Sequence, residues 1–176
     1  MPRQGCTLKC KSPDRRILAM HRFRRLTPDR RRLVLEAARW LLLSWMFVRG
    51  LPFRYWCSLL GEPAPGEIDI ESLHSDSWAV REICWAVAAV NRAMGNRFTC
   101  LMLAMAAQRM LTRRGISSSL VLGTLTKRNE VGKLIIKAHA WLRVDGELVM
   151  GKHDSRFAAI SSYLRRPTPS VRDKTS

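Results

Sequence analysis

Acidic residues are scarce in this chain of 176 residues: 14 Asp and Glu stand against 31 Lys and Arg, which leaves a formal net charge of +17. The imbalance is greatest at the start, because residues 1–32 contain eleven basic side chains and two aspartates. This distribution predicts a basic arm attached to a more ordinary body. Such an arm suits a nucleic acid, an anionic membrane surface or an acidic partner.

Long hydrophobic runs are also missing. The most apolar window, Trp40–Val48, has about half the length of a bilayer span and is bounded by charged residues. The apolar run Ile17–Met20 is far too short for the core of a secretory signal. We therefore expect no transmembrane segment and a cytoplasmic location.

Zinc-type spacings of cysteine and histidine are absent as well. The five cysteines include Cys6 and Cys10 in the basic arm, but no pair has a histidine partner at zinc-finger spacing. Without an export signal, the cysteines are expected to be reduced thiols. We expect neither a metal nor an organic cofactor.

The stretch Phe98–Gly115 predicts a buried helix that begins at a cysteine. Thr99 is a good N-cap, the residues after Cys100 are apolar on every side, and Gly115 suits the C-terminal cap. A thiol at the first helical position faces unpaired N–H groups and the positive end of the helix dipole, which both stabilise a thiolate. Cys100 is therefore a candidate nucleophile, although a cysteine in an apolar helix is also an ordinary core residue.

The elements around this helix change from helical to strand-like along the chain. Periodicity and capping residues predict helices from about Pro28 to Arg49, Arg54 to Leu60 and Ser77 to Met94, a linker at Glu62–Ile70, strands at Ser118–Thr126, Leu134–Val144 and Glu147–Met150, and a last strand or short helix at Phe157–Leu164. Helices followed by a strand cluster predict an α+β fold with a small antiparallel sheet.

Four segments follow from this order of elements. We expect a disordered basic arm over residues 1–26, a helical lead-in over 27–61, a catalytic domain over 62–164 and a disordered tail over 165–176.

The second candidate site residue is His139, inside the predicted strand Leu134–Val144. Asp145-Gly146 is a strong two-residue hairpin signal, and counting outward from it pairs His139 with Lys152. Asp154 would then lie diagonally across from His139 on the same sheet face, within side-chain reach. A one-residue slip would turn every side chain over. The alternative is a histidine satisfied within the core.

Together these residues follow the order of papain-like and transglutaminase-like enzymes: a cysteine at a helix start, a histidine on a later strand and an acid nearby. Five segments and a helical lead-in from Leu33 to Gly61 carry a closer likeness. The segments are Trp85–Arg92, Thr99–Leu101, Met110–Ile116, Leu120–Gly123 and Ala138–Leu142. Together with the lead-in, they resemble the transglutaminase-like leader peptidases of lasso-peptide biosynthesis.

The resemblance covers roughly residues 27–164 and implies a transglutaminase-like or papain-like cysteine protease core. It implies removal of the leader from a ribosomally synthesised lasso-peptide precursor, with Cys100 as nucleophile and His139 as base. A separate leader-recognition protein and an ATP-dependent, asparagine-synthetase-like macrolactam cyclase are the expected partners, and no nucleic acid is expected.

One position departs from the family pattern. The acid of the family's triad is expected about twelve residues after the histidine, where this chain has Gly151. Either Asp154 substitutes for it, or the enzyme works with a Cys100–His139 dyad. Two other functions stay open: a protein that binds nucleic acid or a membrane surface through its basic arm, and an inactive scaffold for the cyclase.

Overall fold

The computed structural model describes residues 26–70, 76–128, 133–151 and 157–167. Within these ranges the helices are α1 (Pro28–Gly50), α2 (Phe53–Trp56), α3 (Ser77–Ala93) and α4 (Cys100–Thr112), with a 3₁₀ helix at Cys57–Leu60. The strands are β1 (Glu62–Pro65), β2 (Ser118–Arg128), β3 (Leu134–Val144), β4 (Glu147–Met150) and β5 (Ala158–Arg165). The predicted α+β class is confirmed.

Each long helix begins at a polar N-cap residue. The side-chain oxygens of Thr27, Asp76 and Thr99 accept hydrogen bonds from backbone N–H groups in the first turns of α1, α3 and α4. Such bonds satisfy donors that a helix start otherwise leaves without a partner. In α1, Pro28 also occupies the first position, where its missing N–H costs nothing.

Helix α4 lies at the centre of the molecule and packs against α1, α3, β2 and β3. Ala104, Ala106 and Ala107 are fully buried, and their small side chains let the neighbouring helices approach closely. Ala37 and Leu41 of α1 are fully buried in the same core. The boundary between a lead-in and a catalytic domain at residues 61 and 62 stays a prediction.

The strands form one antiparallel sheet in the order β1-β5-β2-β3-β4. Its first strand lies within the segment Glu62–Ile70, and the prediction of a linker there is wrong for residues 62–65. The two prolines of β1 are accommodated because the strand lies at the edge of the sheet, where an N–H that would face away from β5 needs no partner.

The hairpin between β3 and β4 confirms the predicted turn. Asp145 and Gly146 both have positive φ, at 49° and 77°, and Val144 pairs with Glu147. The pairing then shifts, because Leu142 lies opposite Met150 where an uninterrupted count expects Val149. A bulge of one residue explains the shift. The predicted pairing, which assumed one residue of β4 for each residue of β3, is therefore wrong for residues farther from the turn than this bulge.

The segment predicted as a last strand or a short helix is a strand, β5, which ends at Arg165. The arm over residues 1–25 and the tail over residues 168–176 lie outside the described residues, so their predicted disorder stays a prediction. Within the described ranges, no helix combines the length and the apolar character that a bilayer crossing requires.

Replacing Gly123 by alanine should lower the stability of the fold by about 1–3 kcal/mol, a typical cost of overpacking. A Cβ at this position would lie 2.5 Å from the Trp141 ring and 2.6 Å from the backbone oxygen of Ala158. Gly50→Ala is the matched control, because a Cβ there meets nothing within 4 Å. Urea unfolding followed by circular dichroism measures both variants, and equal stabilities would contradict the expectation.

Candidate active site

Cys100 is the first residue of α4, and the residue is half-buried. The Thr99 hydroxyl accepts from the N–H of Met102 at 3.4 Å, and the Thr99 carbonyl accepts from Leu103 at 3.1 Å. The N–H groups of Cys100 and Leu101 therefore belong to those that a helix start leaves without an intrahelical acceptor. The predicted helical position of the thiol is confirmed.

The other described cysteines have different surroundings. Cys84 lies within α3 and packs against the core, and burial raises its thiol pKa to about 11 because an apolar environment disfavours the thiolate. The Cys57 thiol, in the 3₁₀ helix, donates to the Arg54 carbonyl at 3.5 Å. Of the cysteines in the described ranges, Cys57 begins the short 3₁₀ helix, and Cys100 is the one that begins an α-helix.

The chain reverses direction between α4 and β2. Gly115, with φ of 75°, turns the chain, and β2 begins at Ser118. Helix α4 is about 18 Å long at 1.5 Å per residue, which equals five or six strand residues at roughly 3.3 Å. The same distance, measured along β2 from its first residue, ends at residues 122–124. Gly123, within this range, pairs with His139. His139 is the sixth of the eleven residues of β3 and therefore lies near the middle of that strand, and its proximity to Cys100 stays a prediction.

His139 does not share a sheet face with the core beneath α4. Leu142 and Val144 of β3 pack into that core, and alternation places His139 on the opposite face together with Trp141. The His139 and Trp141 rings are stacked, with centroids 6.2 Å apart. In the described chain β4 ends at Met150, opposite Leu142, so the edge of β3 beside His139 has no described strand partner. A contact with Cys100 would run around this edge.

Besides the stacking on Trp141, the imidazole contacts Gly151 and Phe157. Its Nε2 atom lies 3.1 Å from the backbone oxygen of Gly151, and its ring centroid lies 5.2 Å from that of Phe157. A carbonyl oxygen only accepts hydrogen bonds, so this contact assigns the proton to Nε2 in the neutral ring. The basic lone pair is then on Nδ1.

Gly151 occupies the position at which the family resemblance expects an acid. Its φ is +82°, and a Cβ there would lie 2.6 Å from the Ala140 oxygen and 2.9 Å from the Trp141 Cα. Both neighbours are backbone atoms, so a side chain at this position is excluded unless the strand moves. A backbone carbonyl, not a carboxylate, therefore faces the imidazole from residue 151.

Asp154, the predicted orienting acid, lies outside the described residues. Its diagonal placement against His139 assumed an uninterrupted register from the hairpin turn, and the bulge before Met150 removes that assumption. Its role as the third catalytic group stays a prediction without that geometric support.

A group of polar contacts holds Trp141, which neighbours His139. Glu67 accepts from the Trp141 Nε1 atom at 3.0 Å and from Arg143 at 2.8 Å, and Asp69 also pairs with Arg143. Sequence reasoning missed these acids because they lie in the predicted linker. It also missed Gly123, although an isolated glycine inside a strand is a known signal of close backbone approach.

In the part of the chain that the structure describes, no three His, Cys, Asp or Glu side chains are grouped closely enough to hold a metal ion.

Comparison with known proteins identifies the family. Residues 40–162 match the family model described as the transglutaminase-like superfamily. The chain belongs to this superfamily. The match runs from within α1 to within β5 and contains both Cys100 and His139. Members of the transglutaminase-like superfamily commonly have cysteine peptidase or transglutaminase activity. No curated protein and no solved structure matches this chain.

Alkylation by iodoacetamide should separate the cysteines of this transglutaminase-like chain. At pH 8 a thiol with a pKa of about 11 is ionised to only about one part in a thousand. Cys84 should therefore react far more slowly than Cys100, and its rate should rise about tenfold per pH unit up to that pKa. Peptide mapping by mass spectrometry measures each rate. Labelling of Cys84 as fast as that of Cys100 in folded protein would be the contrary result.

Proposed function

We propose that this protein is a cysteine protease that removes the leader peptide from a ribosomally synthesised lasso-peptide precursor. The observation that carries the proposal is the position of Cys100, a half-buried cysteine at the start of the central buried helix of a transglutaminase-like chain. His139, in the middle of β3, is the proposed base. The pairing of these two residues is part of the proposal.

The chemistry begins with transfer of the Cys100 proton to Nδ1 of His139. The thiolate then adds to the scissile carbonyl, and the N–H groups of Cys100 and Leu101 are the proposed donors to the oxyanion. The C–N bond breaks as the imidazolium gives its proton to the leaving amine, which frees the core peptide. Water, deprotonated by His139, finally hydrolyses the thioester and releases the leader.

The carbonyl of Gly151 takes the orienting role in this scheme. A triad acid holds the base in one tautomer and stabilises the imidazolium that forms. A backbone oxygen 3.1 Å from Nε2 supports the same tautomer, but as a neutral dipole it stabilises the imidazolium less than a carboxylate does. We therefore propose a Cys100–His139 dyad oriented by the Gly151 carbonyl, and Asp154 stays an additional candidate.

The substrate and the partners rest on the family resemblance. The precursor peptide would be presented by a separate leader-recognition protein, and the freed core peptide would pass to an ATP-dependent, asparagine-synthetase-like macrolactam cyclase. A cytoplasmic location goes with these partners.

Two competing functions come from other observations. The net charge of +17 favours a protein that binds nucleic acid or an anionic membrane surface. Deletion of residues 1–26 separates that function from proteolysis, because a binder would lose its affinity whereas a protease would keep its chemistry. The third function, an inactive scaffold for the cyclase, requires that no precursor is cleaved under any condition.

Replacing Cys100 by alanine should abolish precursor cleavage, with a loss of about 10⁴-fold or more, because the nucleophile is removed. Cys84→Ala is the matched control and should cleave at the wild-type rate. The assay incubates each protein with the precursor and its recognition protein and reads the products by mass spectrometry. Unchanged cleavage by the Cys100 variant would refute the assignment.

Replacing Gly151 by alanine should slow cleavage, because the new Cβ collides with the backbone of Ala140 and displaces the carbonyl from His139. Gly146→Ala is the matched control: its φ of +77° imposes a similar backbone strain, but nothing lies within 4 Å of the added carbon. The dependence of kcat/KM on pH measures the effect. Equal activities of the two variants would argue against the positioning role of Gly151.

A further inference from the structure

The two edges of the sheet differ in how they meet a further strand. At one edge, β1 contains Pro63 and Pro65, which have no N–H to offer such a strand. At the other edge, β4 pairs only with residues 142–144 of β3. Residues 134–138 of β3 pair with β2 along one side, and no strand of the described chain accompanies them along the other. This stretch, residues 134–138, is the open edge of the sheet and is about 17 Å long at roughly 3.3 Å per residue.

The open edge begins with three consecutive apolar residues that are exposed. Leu134, Ile135 and Ile136 expose 57%, 41% and 69% of their surface. Proteins usually protect such an edge with charges, prolines or bulges. Residues 134–136 include no charge and no proline, and their pairing with β2 is uninterrupted. Their backbone is therefore suited to pairing with another extended segment.

The side chains of the open edge divide between the two faces of the sheet. Leu134 and Ile136 lie on one face, and Ile135 and Lys137 lie on the other. Lys127 of β2 pairs with Ile135, which makes it a diagonal neighbour of Lys137 on the same face. Both lysines are exposed. A strand added here would meet positive charge on one face and apolar side chains on the other.

We infer that the open edge binds an extended segment of an acidic polypeptide, which adds to the sheet as a further strand beside β3. The N–H and C=O groups that alternately point outward from an edge strand supply the hydrogen bonds. Acidic side chains of the segment face Lys137, and apolar side chains contact Ile136 on the other face. The matching ligand is a segment in which acidic and apolar residues alternate. Its binding requires no cleavage, so the inference goes beyond the proposed function.

A second copy of this chain is a poorer occupant of the open edge. If two open edges paired antiparallel about Ile136, each Lys137 would lie opposite Ile135 of the other copy. The two Lys137 side chains would then be diagonal neighbours, with backbones about 7–8 Å apart, and would repel each other. The net charge of +17 on each copy adds to this repulsion. The same charges attract an acidic segment.

The experiment measures binding of short, blocked, fluorescently labelled peptides to the full-length protein by fluorescence anisotropy. The probe alternates glutamate and valine. One control peptide has proline in place of its central valine, and another has lysine in place of each glutamate. The probe should bind at least tenfold more tightly than either control, because proline removes a donor and lysine reverses the charge. Equal binding of the probe and the proline peptide would overturn the inference, since attraction to a basic protein alone does not need an added strand.

Reversing the charge at the open edge should reverse the preference for the peptide. Lys137→Glu should weaken binding of the glutamate peptide at least tenfold and strengthen binding of the lysine peptide. Arg39→Glu is the matched control, because it changes the net charge equally at an exposed position of α1. If Arg39→Glu weakens binding as much as Lys137→Glu does, the inference is wrong.

The apolar face of the open edge is tested in the same assay. Ile136→Glu should weaken binding of the glutamate peptide at least tenfold, because it replaces an apolar contact by a like charge. Ile160→Glu is its control: Ile160 is 58% exposed, but its strand β5 pairs with β1 on one side and β2 on the other. Equal losses in these two variants would contradict binding at the open edge.

Amide hydrogen exchange locates the bound peptide. The glutamate peptide should slow exchange within residues 134–138, because outward N–H groups become donors, and should leave Glu62–Pro65 at the opposite edge unchanged. Slowing at both edges or at neither would overturn the inference. Both measurements can be made with the Cys100→Ala variant and neither depends on cleavage, so this inference and the proposed proteolysis can fail separately.

Discussion

The position of the candidate nucleophile depends on the burial of helix α4. Its eight buried residues include Met102, Met110 and Leu111, and full burial of such side chains stabilises a fold by roughly 1.5–3 kcal/mol each. A slip of the helix by one residue would rotate every side chain by about 100° and expose this set. Packing therefore fixes which residue stands at the N-terminus, and Thr99 and the turn at Gly115 fix the two ends of the element.

Acidic side chains are few in this protein, and the described ones serve mainly to hold elements together. Glu36 joins α1 to the end of α4, Glu82 joins α3 to Arg30 of α1, and the pair Glu67 and Asp69 fastens the segment after β1 to the sheet. With these acids engaged, much of the arginine excess has no internal counterion. The surface field of the protein is accordingly positive, which favours anionic molecules of any class as encounter partners.

Local chemistry made much of the fold predictable from the sequence. Thr27, Asp76 and Thr99 cap helices because their short polar side chains reach the first-turn N–H groups, and Asp145-Gly146 adopts positive φ readily. Features set by tertiary contacts were missed. The hydrophobic pattern does not reveal the extra residue in β4, so the predicted pairing of β3 with the residues after Met150 is wrong. Gly151 contacts His139 through its backbone oxygen, and a contact of this kind cannot be predicted from a side-chain motif.

The two prolines in β1 also decide how the sheet ends. Pro63 and Pro65 lie opposite Tyr163 and Ser161 of β5, two residues apart and therefore oriented alike. Because proline has no N–H, the outward margin of this strand lacks the donors that a further strand would need. This side of the sheet consequently resists edge-to-edge association between copies of the chain, a common origin of aggregation in β-containing proteins.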